Sequence, residues 1–177
     1  MSQYFLLWTI GPDRTGIVSE VSKILYENGC NLEDSSMMRL GSEFGILLIF
    51  TSNKSISENI FSNLETKFSL TIGLKKISRQ LASFRPPKQS TAIVTVYGAD
   101  KPGLVYKVTS ELAKQKFNIT DLSTHRTSSK QKPGYILFIE GELKKSRAIK
   151  TLKSRLSSLS KKMDIRISVQ PINAATL

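Results

Sequence analysis

The chain has 177 residues, is 40% hydrophobic and 8% aromatic, and carries 26 Lys and Arg against 14 Asp and Glu, a formal charge of +12. No apolar run approaches the ~18 residues of a membrane-spanning helix, and a single cysteine excludes a disulfide framework. The Tyr4-Phe5-Leu6-Leu7-Trp8 run has neither basic residues before it nor a small-residue cleavage site, so it reads as a strand rather than a signal peptide, and the expected compartment is the cytoplasm.

The chain is an internal duplication. Gly11-Pro12-Asp13-Arg14-Thr15-Gly16 returns about 87 residues later as Gly98-Ala99-Asp100-Lys101-Pro102-Gly103. The same offset carries Val18, Val21 and Leu25 onto Val105, Val108 and Leu112, and Asn31, Asp34, Ser36 and Arg39 onto Asn118, Asp121, Ser123 and Arg126. A repeat of this length predicts two small domains, 1–81 and 91–177, joined by a linker over 82–90 in which Pro86 and Pro87 fix an extended path.

In chain order, Gln3 to Ile10 is nearly all apolar, aromatic or β-branched, which predicts a central strand. Ile17, Val18, Val21, Ile24 and Leu25 form one helical face, and Asn28-Gly29 is a C-terminal stop. Leu32 to Leu40 is a polar, edge-like strand, and Gly45 to Thr51 is an apolar central one. Ile56, Ile60, Leu64 and Phe68 predict a second helix at i, i+4 spacing, and Thr71 to Leu81 a further edge strand. The second half repeats the plan with strands Thr91–Tyr97, Ile119–Thr127, Tyr135–Gly141 and Asp164–Pro171, helices around Leu104–Leu112 and Ile149–Met163, and a loose tail from 172. The order β-α-β-β-α-β predicts an α+β fold: two ferredoxin-like domains, each a four-stranded antiparallel sheet in the order 4-1-3-2 with both helices on one face.

Gly11 to Gly16 matches G-x-x-x-x-G, but a phosphate-binding P-loop requires Lys and Ser/Thr next, and Ile17-Val18 and Leu104-Val105 stand there instead. Nucleotide binding is therefore excluded at both loops. Two readings stay open for Gly16 and Gly103: they permit the turn and close packing, or they let a ligand such as a carboxylate approach the helix start.

Asp13-Arg14-Thr15-Gly16-Ile17-Val18 and Asp100-Lys101-Pro102-Gly103-Leu104-Val105, each followed by an apolar helix and then Asn31-Leu32 or Asn118-Ile119, resemble the ACT domain family. The resemblance implies a regulatory βαββαβ module that binds amino acids at domain–domain interfaces. It implies one ligand site from Asp13, Gly16 and Asn31 and another from Asp100, Gly103 and Asn118, with the asparagine gripping the amino acid's polar backbone groups. Two bare ACT domains on one chain are similar to the glycine cleavage system repressors, which makes glycine or serine the first ligand to consider. Thr15 stands where the family's loop commonly has proline.

Nothing points to catalysis. His125 is the only histidine and is expected on an edge strand, Cys30 aligns with Phe117 as a small hydrophobe, and no His/Cys metal cluster can be assembled. The expectation is a protein with no catalytic residue, no metal and no cofactor.

The charge is unevenly placed. Residues 1–81 carry 8 basic and 8 acidic side chains, and residues 91–177 carry 16 and 6. Between 144 and 162 no acidic residue occurs, and Arg147, Lys150, Lys161 and Lys162 are expected opposite the Ile149/Leu152/Leu156/Leu159/Met163 stripe. This face is either merely solvated or a contact for an anionic partner, a regulatory protein or nucleic acid; without a base-reading motif, nucleic-acid contact would be nonspecific. The polar strands Leu32–Leu40 and Ile119–Thr127 leave unpaired edges that favour a homodimer. The resulting reading is an amino-acid-sensing regulator acting through protein contacts, with a ligand-free scaffold or a nucleic-acid-binding accessory protein as alternatives.

Overall fold

A sheet covered on one face must alternate buried and exposed side chains along its central strands, and the chain does so in both halves. The computed structural model describes residues 2–83, 90–127, 134–144 and 148–172. The chain divides into two compact units, 1–85 and 86–177.

In the first unit, β1 (Gln3–Pro12) buries Phe5, Leu7 and Thr9 on one side, and β3 (Glu43–Ser52) buries Ile46, Leu48 and Phe50. These meet Ile17, Val21 and Leu25 of α1 (Ile17–Glu27), together with Phe61 and, from α2 (Ser62–Phe68), Leu64 and Phe68. Each fully buried Leu or Phe contributes about 1.5–3 kcal/mol of transfer free energy. β1 runs antiparallel to β3, from Gln3 opposite Ser52 to Pro12 opposite Glu43, and to β4 (Thr71–Ile77) on its other side. β2 (Asn31–Leu40) lies outside β3, giving the order β2-β3-β1-β4, which is the expected 4-1-3-2 read from the other edge.

Three local expectations change. β1 continues to Pro12, a terminal strand position at which a missing amide donor is tolerated. The second helix does not extend back to Ile56: a 3₁₀ turn over Glu58–Phe61 precedes α2, and Ile56 packs on the core from outside it. The last strand of the first unit stops at Ile77, because the Ser78 side chain accepts a hydrogen bond from the Leu81 amide at 3.3 Å and starts a short helix, α3 (Arg79–Ala82).

The second unit repeats the plan with β5 (Ser90–Ala99), α4 (Leu104–Lys114), β6 (Asn118–Arg126), β7 (Gly134–Leu143), α5 (Ala148–Met163) and β8 (Arg166–Ile172), in the order β6-β7-β5-β8. Its core joins Val94, Val96, Leu137 and Ile139 of the sheet to Leu104, Val108 and Leu112 of α4 and Leu152 and Leu156 of α5. The duplication reaches fine detail: β2 shifts register between Leu32 and Asp34, and β6 between Ile119 and Asp121. The linker residues 84–89, the hairpin residues 128–133 and the tail from 173 lie outside the described residues.

Candidate functional site

At the end of β1 the chain leaves the sheet at Pro12, and the Asp13 amide donates to the Ser42 carbonyl at 2.8 Å, tying the strand–helix loop to the β2–β3 turn. Gly16 caps α1 with φ 99°, and Gly103 caps α4 with φ 81°. A side chain at Gly103 would meet nothing within 4 Å, and one at Gly16 would make only ordinary contacts, so the left-handed backbone requires these glycines and close packing does not. A glycine cap brings no side-chain acceptor to the first-turn amides of either helix, so their partial positive charge is not neutralised locally.

Each loop aspartate meets an arginine from the far end of the edge strand. Arg39 Nη1 lies 3.5 Å from Asp13 Oδ2, and Arg126 Nη2 lies 3.1 Å from Asp100 Oδ2. Both pairs are partly exposed, and a pair so placed contributes only about 0–1 kcal/mol. Opposite charges thus stand side by side at the start of an uncapped helix, twice in one chain. Neither arginine was among the candidate ligand residues, although the signal was present: an aspartate and an arginine recur at the same separation in both copies.

Asn31 and Asn118 are not beside these loops. Asn31 stands opposite Thr51, which pairs with Tyr4 near the beginning of β1, whereas Asp13 follows the end of that strand. Asn118 stands opposite Glu142, which pairs with Thr91 at the corresponding end of β5. Eight strand positions, at ~3.3 Å each, separate asparagine from aspartate by roughly 25 Å within each unit. The trio Asp13, Gly16 and Asn31, and its copy Asp100, Gly103 and Asn118, therefore do not assemble inside one unit, because β2 and β6 run antiparallel to their neighbours and carry their first residues away from the loop. Asn31 Nδ2 donates to Glu33 Oε1 at 3.3 Å, and the Thr51 hydroxyl donates to the same carboxylate at 3.1 Å. The second unit has Thr120 in place of Glu33, and among the described residues no side-chain hydrogen bond engages Asn118.

Of the cations expected on the last helix, Arg147 lies outside the described residues. Lys150 and Lys161 are exposed and do not line the groove between α4 and α5, whereas Lys162 turns to the flank of α5 that faces α4 and lines that groove with Arg155. At about 100° per residue Lys162 lies a quarter turn from the buried stripe rather than opposite it.

Cys30 is half-buried, its Sγ lies 3.9 Å from the Asn28 carbonyl, and burial pushes its thiol pKa up, which disfavours the nucleophilic thiolate. His125 is exposed on β6, edge-on to the Phe138 ring at a centroid distance of 6.3 Å. Among the described residues no group of three or more His, Cys, Asp or Glu could hold a metal ion, and no helix is long and apolar enough to cross a membrane.

A family model of the ACT domain matches residues 3–75 and again 90–170. Over 122 residues the chain is 33% identical to the glycine cleavage system transcriptional repressor of Escherichia coli (strain K12); the match spans 68% of this chain and 64% of that protein's length. The fold is shared with the crystal structure of an unknown protein from Galdieria sulphuraria, with a TM-score of 0.78 at 24% identity over 98% of this chain and 100% of that one. It is shared also with a crystal structure provisionally assigned as a glycine cleavage system transcriptional repressor, with a TM-score of 0.68 at 24% identity over 98% and 99% of the two chains. With both halves matched by the family model and the βαββαβ plan present in each, the chain belongs to the ACT domain family.

Proposed function

We propose that this protein is a non-enzymatic regulator that binds a small amino acid and passes the signal on through protein contacts. The observation that carries the reading is the pair Asp13/Arg39, repeated as Asp100/Arg126, at glycine-capped helix starts. An amino acid is a zwitterion: its ammonium matches the aspartate, and its carboxylate matches the arginine and the first-turn amides, which no side chain caps. The surface ion pair is weak enough to open for such a guest at little cost. Asn31 and Asn118, roughly 25 Å away in their own units, contribute in this reading from a second copy of the chain, so the working form is a homodimer that completes each site across its contact. β2, exposed at all ten positions, supplies an unpaired edge for that contact.

Likeness to a glycine cleavage system transcriptional repressor supports glycine as the first ligand, serine as the second, and a role in transcription regulation exerted through a partner protein. The test is a thermal melt: ligand at 100 times its Kd should stabilise the fold by about 2.7 kcal/mol. If no proteinogenic amino acid at millimolar concentration moves the melt or gives heat by calorimetry, a ligand-free interaction scaffold replaces this reading.

A further inference from the structure

The two units share a fold but not a charge pattern where their helices meet. In the first unit Glu20 of α1 accepts from Lys67 of α2 at 2.8 Å, closing the helix pair with an ion pair. The repeat offset places Lys107 where Glu20 stands, Lys114 where Glu27 stands and Lys101 where Arg14 stands. The facing helix of the second unit adds Arg155 and Lys162. These side chains line a groove of about 720 Å³ between α4 and α5. Its one carboxylate, Glu111, is 3.3 Å from Lys114. Among the described residues no carboxylate lies within ion-pair distance of Lys101, Lys107, Arg155 or Lys162.

The cations do not converge as they would on one phosphate. Lys101 precedes α4 and Lys107 and Lys114 lie two turns apart along it, so the charge forms a rail roughly 20 Å long at ~1.5 Å rise per residue. Between the cations the lining is mixed, with apolar Pro102, Tyr106, Leu159 and Met163 beside Ser110 and Ser158, and Tyr106 is 72% exposed. A duplex backbone needs positive charge but no apolar floor, and a single strand is held by successive stacked aromatics, of which the groove offers one. A linear anionic guest that also carries apolar side chains fits both features.

We propose that the α4–α5 groove of the second unit is the docking site for an acidic amphipathic segment of a partner protein, with its carboxylates on Lys101, Lys107, Arg155 and Lys162 and its apolar side chains on Tyr106, Leu159 and Met163. The proposal deepens the regulatory reading by naming the chemistry of the partner, and its test needs no amino acid, so the two can fail separately. The full chain is titrated against a fluorescent amphipathic peptide of Glu and Leu about 16 residues long, matching α5. Fluorescence anisotropy reads binding, with duplex and single-stranded oligonucleotides of equal charge as competitors. Lys107→Glu with Arg155→Glu should weaken the peptide at least about tenfold, whereas Lys150→Glu with Lys161→Glu, the same charge change outside the groove, should leave it within about threefold. Tyr106→Ala should weaken the peptide and leave the duplex oligonucleotide unchanged. Circular dichroism confirms that each variant is folded; all five positions are exposed. Equal loss in the two charge-reversed proteins, tighter binding of either oligonucleotide than of the peptide, indifference to Tyr106→Ala, or no peptide binding at all would each overturn the proposal.

Discussion

Arg126, the last residue of β6, reaches Asp100 in the β5–α4 loop at 3.1 Å, so the end of an edge strand is bonded to the start of a helix. Arg39 and Asp13 repeat the contact at 3.5 Å in the first unit. If these charges receive an amino acid, Asp100→Asn should lower its affinity by about 1–3 kcal/mol. The same change should alter folding stability by less than about 1 kcal/mol, because an exposed ion pair contributes little. Calorimetry with glycine against urea denaturation separates the two quantities. A large stability loss with unchanged affinity would assign the pair to structure.

The distance between asparagine and aspartate makes a complementation experiment decisive. Asn31→Ala or Asn118→Ala should weaken amino-acid binding by about 1–3 kcal/mol while leaving the fold intact. A protein carrying Asp13→Asn and Asp100→Asn, and another carrying Asn31→Ala and Asn118→Ala, should each bind poorly alone. Mixed, they should regain an intact loop from one copy facing an intact asparagine from the other. A mixture no better than its components would rule out sites shared between copies.

Gly16 and Gly103 hold left-handed backbone with no steric need for a missing side chain. Gly103→Ala should therefore destabilise the fold by about 1–2 kcal/mol, the cost of a Cβ in that region, and Gly103→Asn by less. Chemical denaturation measures both. A neutral alanine would mean that the loop changes conformation freely.

Thr9 is fully buried, and its hydroxyl has no hydrogen-bond partner. The repeat places Val96 at the same position. Thr9→Val keeps the shape and removes the unsatisfied group, so it should stabilise the first unit by about 1–3 kcal/mol, read as a higher urea midpoint. A loss of stability would show that the hydroxyl is engaged.

The hydrogen bond and charge of Lys67 lower the Glu20 pKa below its ordinary value. A depressed carboxylate pKa gives stability that is present above the unfolded-state value and lost as pH falls through the folded one. The melting difference between wild type and Glu20→Gln should be visible at neutral pH, vanish under acid conditions, and shrink with added salt. A difference that persists in acid would assign the effect to something other than this ion pair.

The sequence alone carried the duplication, the domain plan and the strand order, because each depends on signals local in the chain. Val18, Val21 and Leu25 recur at helical spacing as Val105, Val108 and Leu112, and the apolar runs after Gln3 and Gly45 are long enough to require central strands. Ser78 was legible as a possible cap only in retrospect: its neighbours suit a strand as well as a helix, and a single side-chain hydrogen bond to the Leu81 amide decides between them. The need for glycine at Gly16 and Gly103 was also local: both hold left-handed backbone at the strand-to-helix turn.

What lay beyond the sequence were the meetings of residues distant along the chain. Asp13 and Asn31 are close in sequence yet stand at opposite ends of the sheet, while Asp13 and Arg39, farther apart along the chain, touch. Lys162 turned toward α4 because α5 buries Leu152 and Leu156, and that packing sets the rotation of the whole helix. Spacing determines which residues share a face of one element. Strand direction and helix packing determine which faces meet, and those depend on antiparallel pairing and core volume summed over the domain, which no single stretch of the chain contains.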